Sequence, residues 1–164
     1  MALWGVDRLR FASAILLAKI GSVMADVFTY GSLMCADIMS AVCGHDSRSE
    51  PARLVAFRRY AVLDENYPGL IEDAGAECHG VLYRDISEQG LRRLDVFEGE
   101  YYRRQNVVIT YGNESNGSAQ TYVFRPEYRH FLADWPWSFE YFLAVGKSQF
   151  TRAYLGFQKI PNQT

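Results

Sequence analysis

DVFTYGSLM, residues Asp26–Met34, is the stretch from which the rest of the chain is read. Val27, Phe28, Thr29 and Tyr30 are β-branched or aromatic and favour a pleated, half-buried strand. Gly31 and Ser32 break that pattern, and Leu33, Met34, Ala36, Ile38, Met39, Ala41 and Val42 then follow at helical spacing. The stretch predicts strand, tight turn and short helix. A turn of this kind leaves backbone N–H groups unpaired, and a helix start adds a field that favours negative charge. It is a place to hold a carboxylate or a developing oxyanion. Taken alone, the same residues also fit a strand that merely turns into a helix, which is the plainer reading.

Working outward, the helix ends near Gly44 and a polar loop runs from His45 to Pro51. Arg53 to Leu63 reads as a long strand, and Glu65-Asn66-Tyr67-Pro68-Gly69 as a turn. Leu70-Ile71, a loop from Glu72 to Ala76 and a strand from Cys78 to Tyr83 come next. Ser87 is placed as the N-cap of a helix reaching about Phe97, with Leu91, Leu94 and Phe97 facing inward. Tyr101 to Tyr111 and Thr121 to Arg125 are strands around a Gly112–Ser118 hairpin loop. Pro126 to Pro136 is irregular and aromatic. Ser138 caps a final helix, Phe139 to about Tyr154, whose faces are marked by Phe142, Val145, Gln149, Phe150 and Tyr154. Strands outnumber helices and short loops join them. The fold class expected is α+β, a small mixed β-barrel with helices packed outside.

A length of 164 residues suits one domain with a real core, and 49% hydrophobic with 15% aromatic residues suits a lined cavity. A net charge of -2 argues against a nucleic-acid surface. Cys35, Cys43 and Cys78 cannot all pair within the chain and lack zinc-ligand spacing. They fit reduced, buried thiols in a cytoplasmic protein. His45, His79 and His130 are scattered, so no metal site is expected. Near the N-terminus, Arg8 and Arg10 precede an apolar run from Phe11 to Ala18, too short to span a bilayer. Val23-Met24-Ala25 resembles a cleavage site, so a weak leader fits. A start at Met24 is favoured, because the strand signal begins two residues later. The expected division is an extension at 1–24, one domain at 25–158 and a tail at 159–164. Oligomeric state is not legible.

The second informative stretch is LDVFEGEYYRR, Leu94 to Arg104. Glu98 stands where the helical pattern ends, Gly99 permits a sharp turn, and Leu94 and Phe97 would wall the place with apolar groups. A carboxylate held there is desolvated, which raises its pKa and suits a proton shuttle near neutral pH. On this stretch alone a solvated acidic turn beside Asp95 and Glu100 is the plainer reading, since most Glu residues are exposed.

Together the two stretches resemble the γ-glutamylcyclotransferase-like superfamily, in particular its AIG2-like members. The YG[ST]L turn is matched by Tyr30-Gly31-Ser32-Leu33 and the tyrosine-proline turn by Tyr67-Pro68-Gly69-Leu70. Glu77 to Leu82 matches a glycine-ended strand. The signature LDxFEGxxYxR is matched by Leu94, Asp95, Phe97, Glu98, Gly99, Tyr102 and Arg104, and a late strand by Thr121-Tyr122-Val123. Trp137-Ser138-Phe139 and Tyr154-Leu155-Gly156-Phe157 look like the bacterial branch. The resemblance covers about Asp26 to Phe157.

The resemblance implies cyclisation of a small γ-glutamyl amide. The substrate's α-amine attacks its own side-chain carbonyl, 5-oxoproline forms, and an amine or amino acid leaves. The substrate brings its own nucleophile, in keeping with the absence of a G-x-S-x-G elbow around Ser32. No cofactor, metal, nucleic acid or membrane partner is expected. The resemblance assigns Glu98 the acid–base role and the turn at Tyr30, Gly31, Ser32 and Leu33 the oxyanion donors. Tyr67, Tyr102 and Tyr122 line the pocket, or serve the core without chemistry. Pro126 to Pro136 and the final helix are expected to select the leaving group. Three alternatives stay open: cleavage of γ-glutamyl amines as opposed to γ-glutamyl amino acids, a binding module without turnover, and a thiol acyltransferase using Cys35. No histidine is paired with Cys35 in the sequence, so it reads better as a packed helix residue.

Overall fold

Alternation of apolar residues along six strands, interrupted by two helical segments, builds a closed sheet with helices against its outside. The computed structural model describes residues 23–161. The leader reading falls on residues 1–22, outside the described residues. Strand β1 (Met24–Thr29) runs through a 3₁₀ turn (Ser32–Met34) into α1 (Ala36–Cys43). The long strands β2 (Ser49–Val62) and β3 (Pro68–Ser87) lead to α2 (Glu88–Glu98). The hairpin β4 (Tyr102–Tyr111) and β5 (Ser115–Phe124) follows, then a 3₁₀ turn (Pro126–Phe131) and β6 (Leu132–Pro136). The chain closes with α3 (Phe139–Tyr141), a π-helical turn (Phe142–Gly146), α4 (Lys147–Ala153) and α5 (Leu155–Lys159).

The strand order is β3-β1-β5-β4-β2-β6, and a further β3–β2 pairing closes the sheet on itself. This is the expected α+β barrel. Among the described residues, only the β1–β5 pair is parallel; the other ladders are antiparallel. Closure needs bends, and register irregularities supply them, two of them at residues with positive φ. Asp85, at positive φ, lies where β1 and β3 shift register, and Asp26 Oδ1 accepts from its backbone N–H. Ala56, also at positive φ, marks the second. There the pairing passes from Val55↔Glu77 to Phe57↔Glu72. The loop expected from Glu72 to Ala76 is therefore the irregular middle of β3.

Alternation sends Phe28, Leu82 and Val123 into one cluster, with Leu54, Leu70 and Ile109. It sends Val27, Tyr83 and Tyr122 to the other, against Ile38, Met39 and Val42 of α1 and Leu91, Leu94 and Phe97 of α2. Both expected caps form: Ser87 Oγ accepts from Gly90 N at 3.1 Å and Ser138 Oγ from Tyr141 N at 3.1 Å. The polar loop after α1 is shorter than expected, because β2 begins at Ser49. The irregular stretch after Arg125 contains a 3₁₀ turn and β6. The final helix is broken by its π turn, and Val145 and Gln149 face solvent. No helix among the described residues is long and apolar enough to cross a membrane.

Candidate active site

The two turns singled out in the sequence meet at one end of the barrel. The 3₁₀ turn is closed by Met34 N donating to Gly31 O at 3.0 Å and Cys35 N to Ser32 O at 3.1 Å. Those bonds leave the N–H groups of Ser32 and Leu33 at the head of the turn with no partner inside it. Gly31 lies against Pro68: a Cβ there would stand 2.8 Å from both Cγ and Cδ of the proline ring. The missing side chain lets the YGSL turn and the tyrosine-proline turn touch. Arg59 Nη1 donates to Tyr30 O at 2.6 Å and anchors the first of them to β2.

A cavity of about 30 Å³ lies between these turns and the end of α2. Tyr30, Gly31, Ser32 and Leu33 line one side. Tyr67, Glu98, Tyr102 and Tyr122 complete the set of residues expected from the sequence, and all eight are brought together here. A volume of that size is about one water's share of liquid. Outside it lies a groove of about 410 Å³ that shares Tyr67, Phe97, Glu98, Phe150 and Tyr154 with the cavity. Glu98 therefore lines both the cavity and the groove.

Glu98 is the last residue of α2, and Gly99 takes φ 76° to end the helix, with its N–H on Asp95 O at 3.2 Å. Burial, with the Asp95 charge second, pushes the Glu98 carboxyl up to about 8. No hydrogen bond from another described residue holds that carboxyl. The tyrosines around it are each tied elsewhere. Tyr30 donates to Tyr122 O at 2.6 Å, Tyr102 to Pro68 O at 2.7 Å, Tyr122 to Asp95 Oδ1 at 2.8 Å, and Tyr154 to Phe97 O at 2.7 Å. Burial, the largest cause in each case, pushes all four phenols up, and Tyr67 with them, so they stay protonated. The arrangement can accept one proton on a poised carboxyl and present backbone donors to a carbonyl oxygen in an aromatic-lined site.

Of the two segments expected to wall the site, the final helix does so and Pro126 to Pro136 does not. Phe150 and Tyr154 cover it from the C-terminal helices, with Tyr154 5.3 Å from Tyr67 and 5.0 Å from Phe97, ring centre to ring centre. Their i, i+4 spacing is the signal that could have found them as a pair. Pro126 to Pro136, expected to build the walls, contributes to neither the cavity nor the groove. Tyr128 and Phe131 pack on Tyr101 instead. Cys35 does not line the cavity, and burial pushes its thiol up, opposed by a smaller pull from Lys147. A nucleophilic thiol needs the opposite shift, so the acyltransferase alternative gains nothing here. Among the described residues, no group of three or more His, Cys, Asp or Glu side chains could hold a metal ion.

AIG2-like protein D of Arabidopsis thaliana is 30% identical over 101 residues, which cover 62% of this chain and 66% of that protein. Protein AIG2 C of the same plant is 26% identical over 143 residues, 84% of this chain and 85% of that one. Among solved structures, one from Arabidopsis thaliana matches with a TM-score of 0.64 at 23% identity over 82% of each chain. A structure named gamma-glutamyl cyclotransferase matches with a TM-score of 0.60 at 16% identity, covering 87% of this chain and 91% of that one. At such identities the structural likeness speaks for the fold alone. The family model described as gamma-glutamyl cyclotransferase, AIG2-like, matches residues 27–139, and the chain belongs to that family.

Proposed function

We propose that the protein is a cyclotransferase that converts a γ-glutamyl amide to 5-oxoproline and releases the amine. The observation that carries the reading is Glu98: a carboxyl pushed up to about 8, without a hydrogen-bond partner among the described residues, in the wall of a cavity shared with the Tyr30–Leu33 turn. Such a carboxyl titrates close to the range of α-amino groups, so a proton passes between them at little cost. Glu98 takes a proton from the substrate's α-ammonium. The freed amine attacks the γ-carbonyl carbon, a C–N bond closes the five-membered ring, and the carbonyl oxygen becomes negative. The N–H groups of Ser32 and Leu33 receive that charge. Glu98 then returns its proton to the leaving nitrogen as the original amide bond breaks, the positively charged ring nitrogen gives its second proton to the departing amine, and the carbonyl reforms on the ring.

The reaction is intramolecular, so most of the protein's work is to hold the chain folded back on itself. The phenols of Tyr30, Tyr102 and Tyr122 are committed to protein acceptors and act as walls. The glutamyl group takes the cavity beside Glu98, and the adjoining groove takes the leaving group.

The test is 5-oxoproline release, followed by mass, from a panel of γ-glutamyl amines and γ-glutamyl amino acids. Glu98→Gln is expected to lose about 10²–10⁴-fold in rate, while the exposed neighbour Glu100→Gln keeps near-normal turnover. Near-normal turnover by the Glu98 variant, or equal loss in both, removes Glu98 from its role. Binding of the panel without product marks the protein as a binding module.

A further inference from the structure

Behind Glu98 lies a charged arrangement that the steps above do not use. Arg104 on β4 and Tyr122 on β5 are direct partners in the antiparallel ladder. Both reach the same side chain, Asp95, which precedes Glu98 by three residues and so shares its face of α2. Arg104 grips it with a fork, Nε to Oδ1 at 2.8 Å and Nη2 to Oδ2 at 3.0 Å. The Tyr122 hydroxyl adds a bond to Oδ1 at 2.8 Å. Arg104 also donates to Gln120 Oε1. On its other side, the Tyr122 carbonyl accepts the Tyr30 hydroxyl at 2.6 Å. One chain of bonds thus runs from the end of α2, through the β4–β5 ladder, to the residue that opens the YGSL turn.

We propose that Asp95 is a positioning residue: held by the Arg104 fork and the Tyr122 hydroxyl, it fixes the end of α2 against the cavity wall and sets the charge that Glu98 faces. The inference rests on the acid–base reading of Glu98. A loose α2 terminus would let Glu98 swing toward the groove, away from the donors at Ser32 and Leu33. The groups around Glu98 leave Asp95 as the controlling charge. Tyr30, Tyr67, Tyr102, Tyr122 and Tyr154 face Glu98 as neutral phenols. Arg104 neutralises Asp95 in part. Removing the aspartate charge and removing the arginine charge must therefore act on Glu98 with opposite sign. Loosening of structure has no such sign.

The experiment follows the ¹³C-carboxyl signals of the full chain labelled at glutamate, with the Glu98 resonance assigned by its loss in Glu98→Gln. Asp95→Asn is expected to lower the Glu98 midpoint by roughly half a unit, and Arg104→Gln to raise it by roughly as much. Arg104→Lys keeps the cation and loses the fork, so the midpoint stays in place while kcat falls several-fold at unchanged KM. Midpoints that stay put in both charge variants, or move the same way, overturn the proposal. Because the titration needs no turnover, that result leaves the acid–base reading standing. Normal 5-oxoproline release by Glu98→Gln overturns that reading alone.

Discussion

Glu98→Gln should make the protein more stable as it makes it inactive, and the gain should depend on pH. In the folded chain the carboxyl is pushed from its ordinary 4.5 up to about 8, chiefly by burial. The sign follows from proton binding. Between pH 4.5 and 8 the native state holds a proton that the unfolded chain gives up, so the native state loses stability as pH rises through that window. Each unit of separation is worth about 1.4 kcal/mol, so the wild-type carboxyl costs at most about 3 kcal/mol at pH 7 and about 4 at pH 8. Water reaching the part-exposed side chain reduces these upper bounds. Glutamine has no titration to lose. Urea unfolding of both proteins at half-unit steps from pH 4 to 8.5 is the assay. The two stabilities should run close together near pH 4 and separate as pH rises, with a slope of no more than about 1.4 kcal/mol per unit. Parallel curves across the window would mean that Glu98 titrates as a solvated carboxylate, and the desolvation argument for its chemistry would be wrong. A stability paid for by function is what a poised acid–base residue implies.

Three further expectations test the frame around it. Gly31→Ala drives a Cβ to 2.8 Å from Pro68, so it should cost about 1–3 kcal/mol by overpacking and at least tenfold in 5-oxoproline release; an unchanged Tm and rate would show that the two turns need not touch. Leu94→Ala empties a fully buried site under α2 and should cost about 2–5 kcal/mol in urea unfolding, whereas a loss below 1 would place the helix loosely on the barrel. Iodoacetamide applied to the native protein should leave turnover intact, because Cys35, Cys43 and Cys78 are buried; inactivation faster than unfolding would return Cys35 to consideration.

The barrel and the cavity were legible for different reasons. The Ser87 cap and the inward face Leu91–Leu94–Phe97 are local signals and formed as read, whereas the expected strands formed in place but with different bounds, β3 running through the expected Glu72–Ala76 loop and β5 beginning at Ser115. The Tyr30–Leu33 turn and Glu98 are legible as motifs: Gly99 takes a positive φ that other residues serve badly, and Gly31 leaves the room that Pro68 fills. The contact between Gly31 and Pro68 joins residues far apart in the chain, and no local pattern announces it. Asp95 was noticed only as part of a motif, because its partners Arg104 and Tyr122 meet it through the β4–β5 ladder.

The final helix is expected at the site, but which of its faces covers Glu98 is not given by its periodicity, for a specific reason. A 3.6-residue period starting at Phe142 selects Val145 and Gln149 next, and both face solvent, Val145 at 58% exposure. The buried stripe is instead Phe142, Gly146 and Phe150, with Tyr154 half-buried in the same series, four residues apart each time. At 100° per residue, a regular helix rotates such a stripe by about 120° over those twelve residues, which would carry Tyr154 off the site. The π turn at Phe142–Gly146 uses more residues per turn and absorbs part of that drift. Gly146 sits inside it against the turn between β2 and β3, where a Cβ would lie 3.0 Å from Asn66 Oδ1. The backbone irregularity and the small residue belong together: both keep Phe150 and Tyr154 over Tyr67 and Phe97, and with them the burial that pushes Glu98 up to about 8.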